Sequence, residues 1–324
     1  MENRLFVCSS PHLRDNVSTR RIMLDVIIAL IPATIAGIIF FGMRSALVVV
    51  ATVAASVLTE YIMRKGLGRG QTISDLSAAV TGLLLALNLP PSIPIWIAVV
   101  GAVIATGLIK QLFGGLGQNF MNPALGARAI LTVSWARWMT EWTDPLFVDA
   151  VSTATVDAVS TATPLGVLKE GGASTFSYLD MFLGNVPGCI GETSALAILL
   201  GLAYLLFRRV ISWHIPTFFV GTVALSTWIL GPGGVFTGDP LYHVLSGGLL
   251  IGAVFMATDY ATCPMTRKGR IIYAIGCGAL TVLFRLYGGM AEGVSFAILL
   301  MNIVTPMIDR YTVPVAFGGE KHVE

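Results

Sequence analysis

Charge is what this chain has least of: Asp, Glu, Lys and Arg make up 12% of its 324 residues, about half the share usual in soluble domains. With 55% hydrophobic residues and a mean hydropathy of +0.80, that scarcity excludes an ordinary soluble globule and marks an integral membrane protein. A net charge of +2, with the basic residues spread among loops, leaves no patch for nucleic acid. Cysteine is equally sparse. Cys8, Cys189, Cys263 and Cys277 have no C-x-x-C spacing, so neither a zinc site nor a disulfide framework is indicated. They read as small apolar filler, and an iron-sulfur cluster shared with another chain would have to draw on Cys189 and Cys263. His12, His214, His243 and His322 stand singly without metal-ligand spacing. No G-x-G-x-x-G follows a strand, and the first 21 residues are too polar for a signal peptide.

What is present is a succession of apolar runs. Arg14, Arg20 and Arg21 precede a first span at 22–41, and a second at 45–63 ends in Arg64, Lys65 and Arg69. Basic clusters at both of these ends put the amino terminus and the 64–75 loop inside. Spans follow at 76–89, where Asn88-Leu89-Pro90-Pro91 stops the run, at 93–109, and after a break to about 133. The second block has spans at 193–207, 215–230, 243–257, 271–286 and 294–308. Arg208 and Arg209, the 267–270 loop and the carboxyl terminus then fall on the same side as the first clusters. The expected fold is all-α and polytopic, with about ten membrane-spanning helices and both termini cytoplasmic. Three regions follow: a first repeat at 1–134, an external loop region at 135–191 and a second repeat at 192–324.

The two blocks resemble each other. Leu112-Phe113-Gly114-Gly115-Leu116 has a counterpart in Leu286-Tyr287-Gly288-Gly289-Met290, and Leu76-Ser77-Ala78-Ala79 one in Leu245-Ser246-Gly247-Gly248, at an offset of about 170 residues. Blocks with an odd number of crossings must be inverted relative to one another. Both contain broken spans, whose irregular backbone has to face protein or a polar cavity. Asn119 and Asn122, beside the first break, are candidate ligands for a carbonyl-rich ring or a cation. Glycines 114, 115, 117, 288 and 289 serve either such a pocket or close helix packing. Among the charges, Asp25 is expected to be interfacial and structural, Lys110 and Arg128 to snorkel from span ends, Glu292 to lie at the outer surface, and Asp259 to sit at a helix break.

Between the blocks the stretch Asp149-Ala150-Val151-Ser152-Thr153-Ala154-Thr155 recurs letter for letter as Asp157-Ala158-Val159-Ser160-Thr161-Ala162-Thr163, followed by Pro164-Leu165. It is polar and small-residued, the ordinary composition of a loop.

The span pattern, the break at 110–123, the Phe255-Met256-Ala257-Thr258-Asp259 run and the Asp-x-x-Ser-x-Ala-Thr loop resemble the family that holds the D subunits of Rnf electron-transport complexes and the B subunits of sodium-pumping NADH:quinone reductases. The resemblance covers nearly the whole chain. It implies a subunit of an ion-translocating ferredoxin:NAD oxidoreductase, without a complete active site of its own, in the cell (inner) membrane. It further implies FMN joined through its phosphate to the last threonine of the loop motif by a flavin transferase, with room for a bound riboflavin. Carried onto this sequence, that threonine is Thr163, with Asp157, Ser160 and Ala162 matching and Thr161 in place of the family's glycine. Thr155 closes the same pattern but lacks the following Pro-Leu. The implied partners are the Rnf subunits A, B, C, E and G and membrane lipid, with no metal held by this chain. A channel or secondary carrier for a small polar solute would share the broken spans and repeats.

Overall fold

The computed structural model describes residues 18–145, 162–169, 176–231, 234–289 and 292–314. Asp157, Ser160 and Thr155 lie outside the described residues, as do Cys8, His12 and His322. Among the described residues four helices are long and apolar enough to cross a membrane: α1 (Thr19–Phe41), α2 (Met43–Gly66), α13 (Arg267–Tyr287) and α14 (Val294–Thr312). They contain the runs expected at 22–41, 45–63, 271–286 and 294–308. Their ends follow local chemistry. The Ser18 hydroxyl caps α1 by accepting from the Arg21 N–H at 3.3 Å, and the Thr266 hydroxyl caps α13 by accepting from the Gly269 N–H at 2.9 Å. Arg64 and Lys65 occupy the last turn of α2, where positive charge complements the helix dipole.

The remaining spans are short or interrupted. Helix α3 (Ser77–Leu87) has 11 residues and so reaches about 16 Å, roughly half of the hydrocarbon thickness. Helix α4 (Ile95–Val103) continues as a π-helical segment, Ile104–Gln111, and α5 (Pro123–Ser134) starts afresh after the loop in which Gly114, Gly115 and Gly117 take positive φ. Short helices α6 (Ala136–Thr140), α7 (Pro164–Lys169) and α8 (Tyr178–Leu183) precede α9 (Ala195–Phe207) and α10 (His214–Ile229). A small antiparallel pair, β1 (Leu230–Gly231) and β2 (Gly234–Val235), leads to α11 (Pro240–Leu245) and to α12 (Leu249–Ile251), which also continues as a π-helical segment, Gly252–Met256.

Hydrogen bonds sort the connections into two ends of the bundle. At one end, Asp25 accepts from the Tyr204 hydroxyl at 2.9 Å and pairs with Arg208 at 3.3 Å, Arg69 donates to the Gln111 carbonyl, and Arg270 donates to Ser212 and to the Pro264 carbonyl. At the other, Ser92 donates to the Glu141 carbonyl, the Tyr242 hydroxyl to the Pro164 carbonyl, and Arg285 to the His243 carbonyl. Arg20, Arg21, Arg64, Lys65, Arg69, Arg208, Arg209, Arg267, Lys268 and Arg270 all belong to the first, the basic end. Thr163 belongs to the second.

Helix α3 runs from the basic end inward, and α12 with its π-helical continuation runs inward from the opposite end. Each is kept short because its carbonyl end is satisfied inside the protein rather than by water. The Leu87 and Leu89 carbonyls accept from Gly191 and Ile190 N–H groups at 2.8 and 3.1 Å, and the Met256 carbonyl accepts from the Asn122 amide at 3.3 Å. A continuous apolar core that includes Leu85, Ile97, Ile198, Phe219 and Phe255 joins the two blocks. Where α1 crosses α9, Gly201 lies so near that a Cβ would meet the Ala29 carbonyl oxygen at 2.4 Å and Phe255 at 2.8 Å. Gly201→Val is therefore expected to cost about 1–3 kcal/mol by overpacking, read as a lower melting temperature of the detergent-solubilised protein, whereas substitution of lipid-exposed Val50 by Leu leaves it unchanged.

Candidate functional site

Among the described residues two buried polar constellations occupy the interior, one toward each end. The first is built on Lys110. Its position in the π-helical turn after α4 directs the ammonium inward, a place where such turns often carry functional side chains. Lys110 Nζ lies 2.9 Å from Glu60 Oε2 of α2 and 2.6 Å from the Ser77 hydroxyl at the start of α3, while Thr72 donates to Glu60 Oε1 at 2.5 Å. The two charged side chains are only 2% and 1% exposed, so Lys110 does not snorkel. It is enclosed by protein, between Glu60 of α2 and Ser77 of α3.

Beside this pair lies a cavity of about 80 Å³ lined by Ser77, Lys110, Asn119, Asn122 and Asp259, with Leu84 and Phe255 as apolar walls. Asn119 donates to the Met121 carbonyl at 3.0 Å. Asn122 caps α5 through its side-chain oxygen, which accepts from the Ala124 and Leu125 N–H groups. Asp259 accepts from the Thr262 hydroxyl at 3.2 Å. The cavity thus presents an ammonium, a carboxylate, two amides and the hydroxyls of Ser77, Thr81 and Thr258 beside its apolar walls, an arrangement suited to a small cation or a proton and its waters.

The second constellation centres on Arg128, in the second turn of α5. One guanidinium nitrogen donates to Asn88 Oδ1 at 3.0 Å and to the Ser295 hydroxyl at 3.2 Å; the other donates to Glu292 at 2.8 Å and to Cys189 Sγ at 3.4 Å. Arg128 is 8% exposed and its Glu292 partner 15%, so neither the snorkelling arginine nor the surface glutamate expected from sequence is found. Helix α5 begins deep in the bundle, and its second turn is still enclosed by α3, α14 and the 189–192 loop. Glu192 lies in the same cluster, with Oε1 accepting from the Cys189 N–H at 2.9 Å. Ligand atoms of Cys189, Glu192 and Glu292 lie within 4.8 Å of one another, but the Arg128 guanidinium already takes two of the three, so a metal ion would compete with a bound arginine.

Arg128, Glu292, Ser295 and Thr163, itself only 5% exposed, also line a pocket of about 240 Å³, with Met139, Trp142 and Phe296 among its walls. The Thr163 hydroxyl accepts from the Gly166 N–H at 3.2 Å and its carbonyl accepts from Val167 at 3.0 Å, so the residue opens α7. Pro164 starts that helix, where its missing N–H costs nothing, and its carbonyl is tied to Tyr242. Leu165 is 4% exposed. The Pro-Leu pair after Thr163 therefore anchors this threonine against the second block. Ala162 precedes it, exposed.

A model of the NQR2, RnfD, RnfE family matches residues 6–318. The chain belongs to that family. It is 49% identical to the D subunit of a Na(+)-translocating ferredoxin:NAD(+) oxidoreductase complex of Acetobacterium woodii, over 99% of this chain and 97% of the relative. It is 48% identical to the proton-translocating counterpart of Clostridium ljungdahlii, over 99% and 98%, and 42% identical to the D subunit of an ion-translocating oxidoreductase complex of Stutzerimonas stutzeri, over 93% and 92%. An all-α, multi-pass membrane protein is what both the fold and this membership give.

The site residues suggested by sequence fall into two groups. Asn119 and Asn122 share the basic-end cavity, and Thr163 with Ala162 lies at the opposite end. Glu60, Glu192 and Arg285 were not singled out from sequence, although Glu60 and Arg285 each interrupt an apolar run, which is the signal that would have found them. For the Lys110–Glu60 pair, Lys110→Met and Glu60→Gln are each expected to lose about 3–5 kcal/mol because a buried charge is left unpaired. The double variant is expected to recover most of that loss, a coupling that a double-mutant cycle of thermal unfolding measures.

Proposed function

We propose that this chain is the membrane subunit of an ion-translocating ferredoxin:NAD oxidoreductase complex, and that it carries FMN in phosphoester linkage on Thr163. The observation that carries the reading is that Thr163 shares one pocket with a fixed arginine. The residues there fit the group: Arg128 supplies a cation for an anionic phosphate or ring, and Trp142 and Phe296 supply flat apolar walls. Glu292, whose Oε2 pairs with Arg128, lines the same pocket. FMN when bound supplies the one- and two-electron chemistry; the chain positions it and excludes water. Asp157, Ser160 and Ala162 serve as the recognition sequence for a flavin transferase.

The basic end is cytoplasmic by the positive-inside rule, which puts both termini inside and Thr163 outside. The opposed entries of α3 and α12 support two inverted halves, 1–134 and 192–324, joined by the 135–191 region. Lys110, Glu60 and Asp259 with Asn119 and Asn122 form the cytoplasmic part of the path for Na+ or H+. The relatives named as subunits of a complex support partner subunits, and the resemblance implies that these are A, B, C, E and G.

Intact-mass measurement of the chain isolated from the assembled complex tests the attachment. A gain of one FMN is expected, lost in Thr163→Ala and retained in Thr155→Ala. Loss in Thr155→Ala alone moves the linkage to the first copy, and an unmodified chain in an active complex overturns the reading in favour of a channel or carrier.

A further inference from the structure

Resting on the attachment of FMN to Thr163, we propose that the Arg128–Glu292 pair sets the reduction potential of that flavin, with Arg128 the positioning residue and Glu292 its counterweight. Four segments hold the guanidinium: Asn88 after α3, Cys189 in the loop before α9, Ser295 in the first turn of α14, and Glu292 just before it. Arg128 therefore cannot swing away when the pocket fills. Arg128, 8% exposed, and Glu292, whose side chain is 15% exposed, both line the pocket. Arg128 stands among two carboxylates, Glu292 and Glu192, and Arg285, buried and donating to the His243 and Ser246 carbonyls, is the second cation of the same region.

The electrostatics give opposite signs for the two partners. Reduction would add electrons to an isoalloxazine held here, with negative charge left wherever protons do not follow. In a site walled by Met139, Trp142 and Phe296 a pinned guanidinium stabilises the added charge without reorganising, and at low dielectric this interaction is far stronger than in water. The adjacent carboxylate opposes it. Arg128 thus raises the potential and Glu292 restrains the rise. Because the pair lies between α3 and α14, the same contact connects the charge on the flavin to helices of both blocks.

Redox titration of the purified complex tests this, taking the absorbance difference between the parent and Thr163→Ala complexes as the signal of the Thr163-linked flavin. Arg128→Gln is expected to shift that signal to lower potential, Glu292→Gln to higher potential, and Arg128→Lys to return most of the Arg128→Gln shift. A purely structural role would move both single variants alike. Shifts of the same sign, or unchanged potentials with FMN still on the Thr163 peptide, overturn the proposal and leave the attachment standing. Absence of FMN from that peptide in the parent chain overturns the attachment itself. Should Arg128→Gln fail to assemble, the Glu292→Gln shift decides alone: an upward shift supports the pair, and no shift or a downward one refutes it.

Discussion

A charge surrounded by lipid has to find its opposite on another part of the same protein, because no water is there to solvate it. Among the described residues, Lys110 with Glu60 and Arg128 with Glu292 meet that constraint in the interior. Each pair joins elements distant in sequence. Such pairs contribute little net stability when complete and cost heavily when broken, so they act less as adhesive than as a requirement that α2, α3, α5, α14 and the 189–192 loop meet in one arrangement. The interrupted helices follow from the same constraint. A helix that stops inside the bundle exposes carbonyls, and here the Gly191 and Ile190 N–H groups and the Asn122 amide take them up.

The two constellations divide the work by position. The basic end holds a small polar cavity with an ammonium and a carboxylate at interior depth, chemistry suited to passing a cation or proton. The other end holds a wider pocket with aromatic walls, chemistry suited to an organic ring. Between them the Asn88 side chain donates to Leu84 and Met256 and accepts from Arg128, so the floor of one site and the short helices bordering the other share a residue. Coupling between electron transfer and ion movement, as proposed here, requires a connection of that kind, since a change of charge in one site must alter occupancy in the other.

Much of this was legible in the residues. The apolar runs, the basic loops on one side and the breaks at 113–122 and 259–264 follow from composition and punctuation, and α1, α2, α13 and α14 stand where they were expected, whereas the run at 243–257 divides between α11 and α12. Pro164-Leu165 follows only the second copy of the duplicated motif, and in the structure Pro164 is bonded to Tyr242 and Leu165 is buried. What could not be read was depth. Lys110 and Arg128 look like span-end residues when each span is treated as a full rod, but a π-helical turn and a helix that begins at Pro123 carry them inward. Cys189 and Glu192 sit in a loop by sequence, yet that loop folds back against Leu87 and Leu89. Long-range placement of this sort leaves no local pattern, and only a charge interrupting an apolar run, as at Glu60 and Arg285, hints at it.

The central claim is that a flavin is tethered in the pocket at the end of the bundle away from the basic loops. Fluorescence quenching by a membrane-impermeant ion in sealed vesicles of known orientation, with Thr163→Ala vesicles as the blank, measures this directly. Quenching of the Thr163-dependent signal when the ion is added on the extracytoplasmic face, with none from the cytoplasmic face, is the predicted result. Quenching only from the cytoplasmic face would contradict the account.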